Sequence, residues 1–166
     1  MADNYLHFSE VISNLTPQES EWLRKVVSVP DENHKRTMRE LERLGLRPAA
    51  LKWTSSWPGF AADFRENNTR LWIHCSQEWY DDVRIEQWCD ISHVGEMIRA
   101  FLEKFHPNKF FVLTWAETCF KPRRGEFSGG CLFATAKAWK TREVREIANE
   151  YILELNTLQS DFERIA

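Results

Sequence analysis

The stretch "GFAADFRENNTRLWIHCS", residues 59–76, decides the fold class. Phe60, Ala62 and Phe64 alternate with Ala61 and Asp63, and Leu71, Ile73 and Cys75 alternate with Trp72 and His74, which is the period of strands that bury one face. Between the two runs lies Glu66-Asn67-Asn68-Thr69, whose asparagines tolerate a positive φ, so the pair reads as a β-hairpin. Upstream, "LKWTSSW" (51–57) is a candidate preceding strand, with Pro58 and Gly59 supplying the turn.

Working outward, "KFFVLTWAETCF" (109–120) and "GGCLFATA" (129–136) read as a second pair of strands. Between the two pairs, Val94, Met97, Ile98, Phe101, Leu102 and Phe105 form a wide apolar stripe that stops before Pro107, the pattern of a central buried helix. A last helix, about residues 141 to 158, carries Val144, Ile147, Tyr151, Leu155 and Leu158 at helical spacing. Towards the N-terminus, Thr16 and Glu19 make a capping box around Pro17, predicting a helix over about 17–28. Met38, Leu41 and Leu44 followed by Gly45 predict a short, exposed second helix. The expectation is an α+β fold: a mainly antiparallel sheet of two hairpins joined by a helix, covered by helices on one face, with an N-terminal helical segment. Residues 1–166 make one globular domain, in which a helical 1–48 packs on an α+β core spanning 49–160.

A net charge of −3 speaks against a global nucleic-acid footprint, so any such contact has to be local. The absence of a transmembrane-length apolar run and of a signal peptide excludes a membrane partner and favours a cytoplasmic setting, in which Cys75, Cys89, Cys119 and Cys131 would be reduced. Aromatic residues are 13% of the chain, enough to leave some rings at the surface as binding anchors.

Two stretches stand out as candidate sites. "TWAETCFKPRRGEFSGG" (114–130) gathers Trp115, Glu117, Cys119, Lys121, Arg123, Arg124 and Glu126 at a strand exit beside turn-forming glycines. Its cations suit a phosphate or carboxylate, or pair with Glu117 and Glu126 in a solvated loop. Trp115, Glu117 and Cys119 share a strand face, so Glu117 needs a cation or hydrogen-bond donors, with Arg123 and Arg124 nearest in sequence. Cys119 is the obvious nucleophile, but the sequence places no base beside it. The second stretch holds Trp79, Tyr80 and Trp88 among Asp81, Asp82 and Glu86, a candidate protein-binding patch. His74, Cys75, Cys89 and His93 are metal-ligating residue types, yet neighbours on a strand point to opposite faces, so no metal or cofactor is assigned.

The segment Trp115-x-x-Thr118-Cys119-x-Lys121-Pro122-Arg123-x-Gly125-Glu126-Phe127-x-Gly129-Gly130, with "LWIH" (71–74) and "FLEKFHP" (101–107), resembles a family of small uncharacterised bacterial and phage-borne proteins. The resemblance covers about residues 60 to 136, and "YLHFSEVI" (5–12) extends it. It implies a common fold and surface and carries no activity. The chain departs from the family at Phe120, where a small polar residue is usual, and in the longer connection "EWYDDVRIEQWCD" (78–90).

Three readings follow. The leading one is a small cytoplasmic protein-binding protein, an inhibitor or adaptor of a phage or mobile element. The second is a small-ligand or anion-binding enzyme using the 115–130 corner. The third is local nucleic-acid binding through the Lys121–Arg124 loop, with stacking on Trp115 or Phe127. No convincing catalytic constellation is visible, which favours binding over catalysis.

Overall fold

The computed structural model describes residues 4–31, 33–51, 57–75, 79–80, 83–84, 90–119 and 128–163; at 4–5, 50, 79–80, 83–84, 117–119 and 154–163 it describes the backbone alone. The elements are β1 (Asn4–Ile12), α1 (Pro17–Val27), α2 (His34–Arg43), β2 (Ala61–Arg65), β3 (Arg70–Cys75), β4 (Trp79–Tyr80), β5 (Val83–Arg84), α3 (Ile91–Phe105), β6 (Phe110–Cys119), β7 (Ser128–Thr135), β8 (Trp139–Glu143) and α4 (Val144–Glu163). Six strands form one antiparallel sheet in the order β2-β3-β1-β6-β7-β8, and β4 and β5 pair separately. The α+β fold expected from the sequence is the fold observed.

Local chemistry explains the elements. Thr16 caps α1 in the full reciprocal box with Glu19, and Pro17 occupies its first turn. Asn33 caps α2 by accepting from the N–H groups of Lys35 and Arg36. The β2–β3 turn places Glu66, Asn67 and Asn68 at positive φ, the conformation expected of its asparagines. Gly45 follows α2 at φ +92°, where a side chain would be strained.

Three features depart from the sequence reading. The N-terminal segment, expected to be helical, opens with β1, which lies inside the sheet between β3 and β6. Residues 139–143, in part assigned to the last helix, form β8. Cys75, expected to be a reduced thiol, is disulfide-bonded, while Cys131 is free. The candidate strand at 51–57 falls largely outside the described residues.

α1, α2 and α3 lie on the inner side of the sheet with the core between. Leu71, Ile73, Leu113, Leu132 and Ala134 are buried on the strands against Leu23, Val26, Val94, Met97 and Ile98 of the helices. A charged cluster around Arg99 and Glu96 is buried with them. Arg99 donates through Nε to both oxygens of Glu96 at 2.9 and 3.0 Å, through Nη2 to Glu96 Oε1 at 2.7 Å and to Gly45 O at 2.8 Å, and through Nη1 to Glu103. Glu96 in turn accepts from the Arg47 N–H and the Trp139 indole. This satisfied network ties the turn after α2 to α3 and β8.

Candidate binding surface

The register places the strand parts of the first candidate stretch, residues 114–119 and 128–130. Trp115 pairs with Gly130 across β6–β7, and positions 117 and 119 lie on its face, opposite Leu6 and Asn4 of β1. Trp115 is buried, its ring packed so closely on β7 that a Cβ at Gly130 would lie 2.4 Å from the ring and 2.4 Å from Arg142 O. Its indole N–H has no hydrogen-bond partner among the described residues. A ring held this way is core, and the stacking role considered for Trp115 does not hold. Lys121, Arg123, Arg124, Glu126 and Trp88 lie outside the described residues, and Glu117, Cys119, Trp79 and Tyr80 are placed by backbone only. The topology nonetheless joins the two candidate stretches. β3 ends at Cys75 and β6 at Cys119, and β7 begins at Ser128, all at the end of the sheet where β1 starts. Residues 76–89 and 120–127 therefore leave from one end of one sheet. His74 and Cys75 fall on opposite faces, as strand alternation requires: Cys75 is buried, and His74 is turned outward.

The surface the sequence reading missed is the outer face of the sheet. Register puts Val11, Trp72, His74, Phe110, Val112, Thr114, Phe133 and Lys140 on this side, opposite the helices. Phe110 is 67% exposed and stacks on Phe133 of the neighbouring strand, with centroids 5.5 Å apart; Val112, Phe133 and Val11 are each more than 40% exposed. These four residues make an apolar patch across β1, β6 and β7. Beside it lies a polar aromatic cluster. The Arg65 guanidinium sits 4.0 Å over the Trp72 ring, which stacks on His74 at 4.0 Å and donates its N–H to Ser9 Oγ at 2.8 Å. His74 Nε2 lies 3.0 Å from Asp63 Oδ2. The pattern was present in "FFVLT", where Phe110 and Val112 alternate with Phe111 and Leu113. Apolar residues at both parities read as a strand buried on both sides, whereas only one side is covered.

α4 adjoins this face. It follows β8 directly, and its Glu146 and Glu150 turn back on Arg142, with Glu150 at 2.5 Å. Of the stripe read from the sequence, Val144 and Tyr151 are more than half exposed and Ile147 is 39% exposed, while the side chains of Leu155 and Leu158 lie outside those described; the neighbouring Ile152 and Leu153 are also more than half exposed.

Elsewhere, the buried Glu19 places Oε1 2.6 Å from Nε2 of the half-buried His106, at a cleft of about 160 Å³ lined in part by Ile12, Ile98, Phe101 and Phe111. Burial pushes the Glu19 carboxyl up, but the hydrogen bonds from Thr16 and the imidazole outweigh it and hold the carboxyl below its usual range. No helix among the described residues is long and apolar enough to cross a membrane. No protein-family model matches the chain, and neither a curated protein nor a solved structure matches it.

Proposed function

We propose that this is a protein-binding protein, an inhibitor or adaptor in the manner of the phage-borne family it resembles, and that it works through the outer face of its sheet. The observation that carries this reading is the patch of Phe110, Phe133, Val112 and Val11, exposed on strands whose inner-facing Leu71, Ile73, Leu113 and Leu132 are wholly buried. Apolar surface left open on rigid strands is what a partner buries, and aromatic rings contribute most per residue. Protein is favoured over nucleic acid because the patch is aliphatic and aromatic and the chain as a whole carries a net charge of −3. Immobilised wild-type protein should retain a stoichiometric protein that Phe133→Glu protein loses while melting at the same temperature. Equal retention by both would remove the reading.

A cytoplasmic setting belongs to the same proposal. The Cys75 disulfide pulls against it, because that compartment keeps thiols reduced. Alkylation of intact cells before lysis must find Cys75 free for the cytoplasmic setting to stand. A small-ligand reading at a site other than the 115–130 corner has one observation of its own, the carboxylate-held imidazole of His106 at a partly apolar cleft, an arrangement able to orient a base. A small organic anion that shifts the His106 ring resonances in wild type but not in Glu19→Gln protein would support it.

A further inference from the structure

The surface proposed above is incomplete in one chain, and the structure contains the piece that would complete it. A sheet apolar on both faces is stable when helices cover both, giving three layers. Here α1, α2 and α3 supply the inner layer, no helix among the described residues covers the outer patch, and α4 carries exposed Val144, Ile147 and Tyr151 on one side. α4 does not fill the gap in its own chain. No residue separates it from β8, its acidic side is held by Arg142, and it packs beside β7 and β8 while Phe110, Val112 and Val11 stay open.

We infer that the occupant of the outer face is α4 of a second copy of this chain, in a two-fold pair in which each copy's helix covers the other's sheet. The inference rests on reading the outer face as a protein-binding surface. Three observations point to a second copy. First, the dimensions agree. The patch spans three strands, about 10 Å at strand spacing, and a helix is about 10 Å wide. Along the strand, Phe110 to Val112 covers about 7 Å, within the roughly 10 Å from Val144 to Tyr151 at 1.5 Å per residue. Second, the charges are complementary. α4 carries Glu146, Glu150, Glu154, Asp161 and Glu163 against Arg145, an excess that Arg142 of the same chain offsets only in part, and the outer side of the flanking strands carries Arg65 and Lys140 against Asp63, besides Arg70, which pairs with Glu66. Third, both open surfaces belong to one chain and are of opposite kind, helix and sheet. A two-fold operator buries both at once, whereas an unrelated partner would have to bring a matching helix and a matching sheet.

Two exposed positions test this without threatening the fold: Phe133→Glu on the sheet and Tyr151→Glu on α4. Sedimentation equilibrium of the full chain should give twice the 19.7 kDa chain mass, with each substitution weakening self-association by at least about tenfold. Mixing is the decisive arm. Each variant alone retains no intact helix-on-sheet contact, but a pair of unlike variants retains one, so the mixture should re-form dimers that neither variant forms alone. A wild-type chain that stays monomeric at about 100 µM, a dimer that neither substitution weakens, or variants that fail to pair on mixing would each overturn the inference. The two proposals separate cleanly. A monomeric chain that retains a different protein, lost with Phe133→Glu, overturns the second copy and keeps the protein-binding surface. A monomeric chain that retains nothing overturns both.

Discussion

The two faces of the one sheet are built from similar residues and used differently. On the inner face Leu71, Ile73, Leu113 and Leu132 are wholly buried under α1 and α3. On the outer face Val11, Val112, Phe110 and Phe133, contributed by the same or adjacent strands, are open. Adjacent residues of β6 differ only in parity: Val112 faces outward and Leu113 inward. Apolar character alone therefore does not say which residues hold a fold together. What separates the faces is whether a helix packs on them: α1 and α3 cover the inner side, whereas α4, which follows β8 directly, leaves the outer patch open.

Substitutions sharpen this contrast when ranked by expected effect. The largest belongs to the inner side. Arg99→Met would leave Glu96 buried without its cation, a loss of about 3–5 kcal/mol in a urea melt. A variant as stable as wild type would show that Glu96 takes up a proton at no cost. Next, Leu113→Ala should cost about 2–5 kcal/mol. If it proved as mild as an outer-face change, the distinction between the faces would fail. Gly130→Ala forces a methyl against both the Trp115 ring and Arg142 O, and should destabilise by about 1–3 kcal/mol.

A pH effect comes fourth. Burial pushes the His93 imidazole below its ordinary value of 6.5, and Asp90 and the Pro58 carbonyl only partly restore it. The unfolded chain therefore takes up this proton before the folded one does. Stability from His93 is fully present above 6.5 and falls as pH drops from there towards the folded pKa, by at most about 1.4 kcal/mol per pH unit. His93→Gln protein should lose that part of the slope, and a slope unchanged by the substitution would count against it. The smallest effect is outside: Phe133→Ser should change stability by less than about 1 kcal/mol, in urea melts of the isolated chain.

What was legible in the sequence follows the same division. The β2–β3 hairpin, the Thr16–Glu19 capping box and the stripe of α3 were readable because each signal is local: alternation, a cap three residues from its partner, an i, i+3, i+4 repeat. β1 was missed although Leu6, Phe8 and Ile12 alternate, because Glu10 interrupts the inner set and no turn marks the strand's start. β8 was missed because Lys140, Thr141 and Arg142 look like the polar start of a helix, and pairing with β7 overrides that propensity. Of the candidate site residues, Trp115 was placed on the right strand, yet its burial depends on Gly130 opposite, a long-range contact that no local pattern encodes. The outer patch went unread for a related reason, since which parity of β6 is covered depends on where distant helices pack.

The position of β1 has a consequence for how the chain is made. Its residues 4–12 pair with 71–75 on one side and 116–119 on the other. During synthesis β1 has no partner until residue 75 has emerged, and its second edge stays open until residue 119 has emerged. The β2–β3 hairpin and the later β6–β7–β8 meander can each form from neighbours in sequence, whereas joining them requires this early strand to be threaded in as the seam. A ribosome stalled between those points holds half a sheet with one unpaired edge, the form of this protein most exposed to edge-to-edge aggregation.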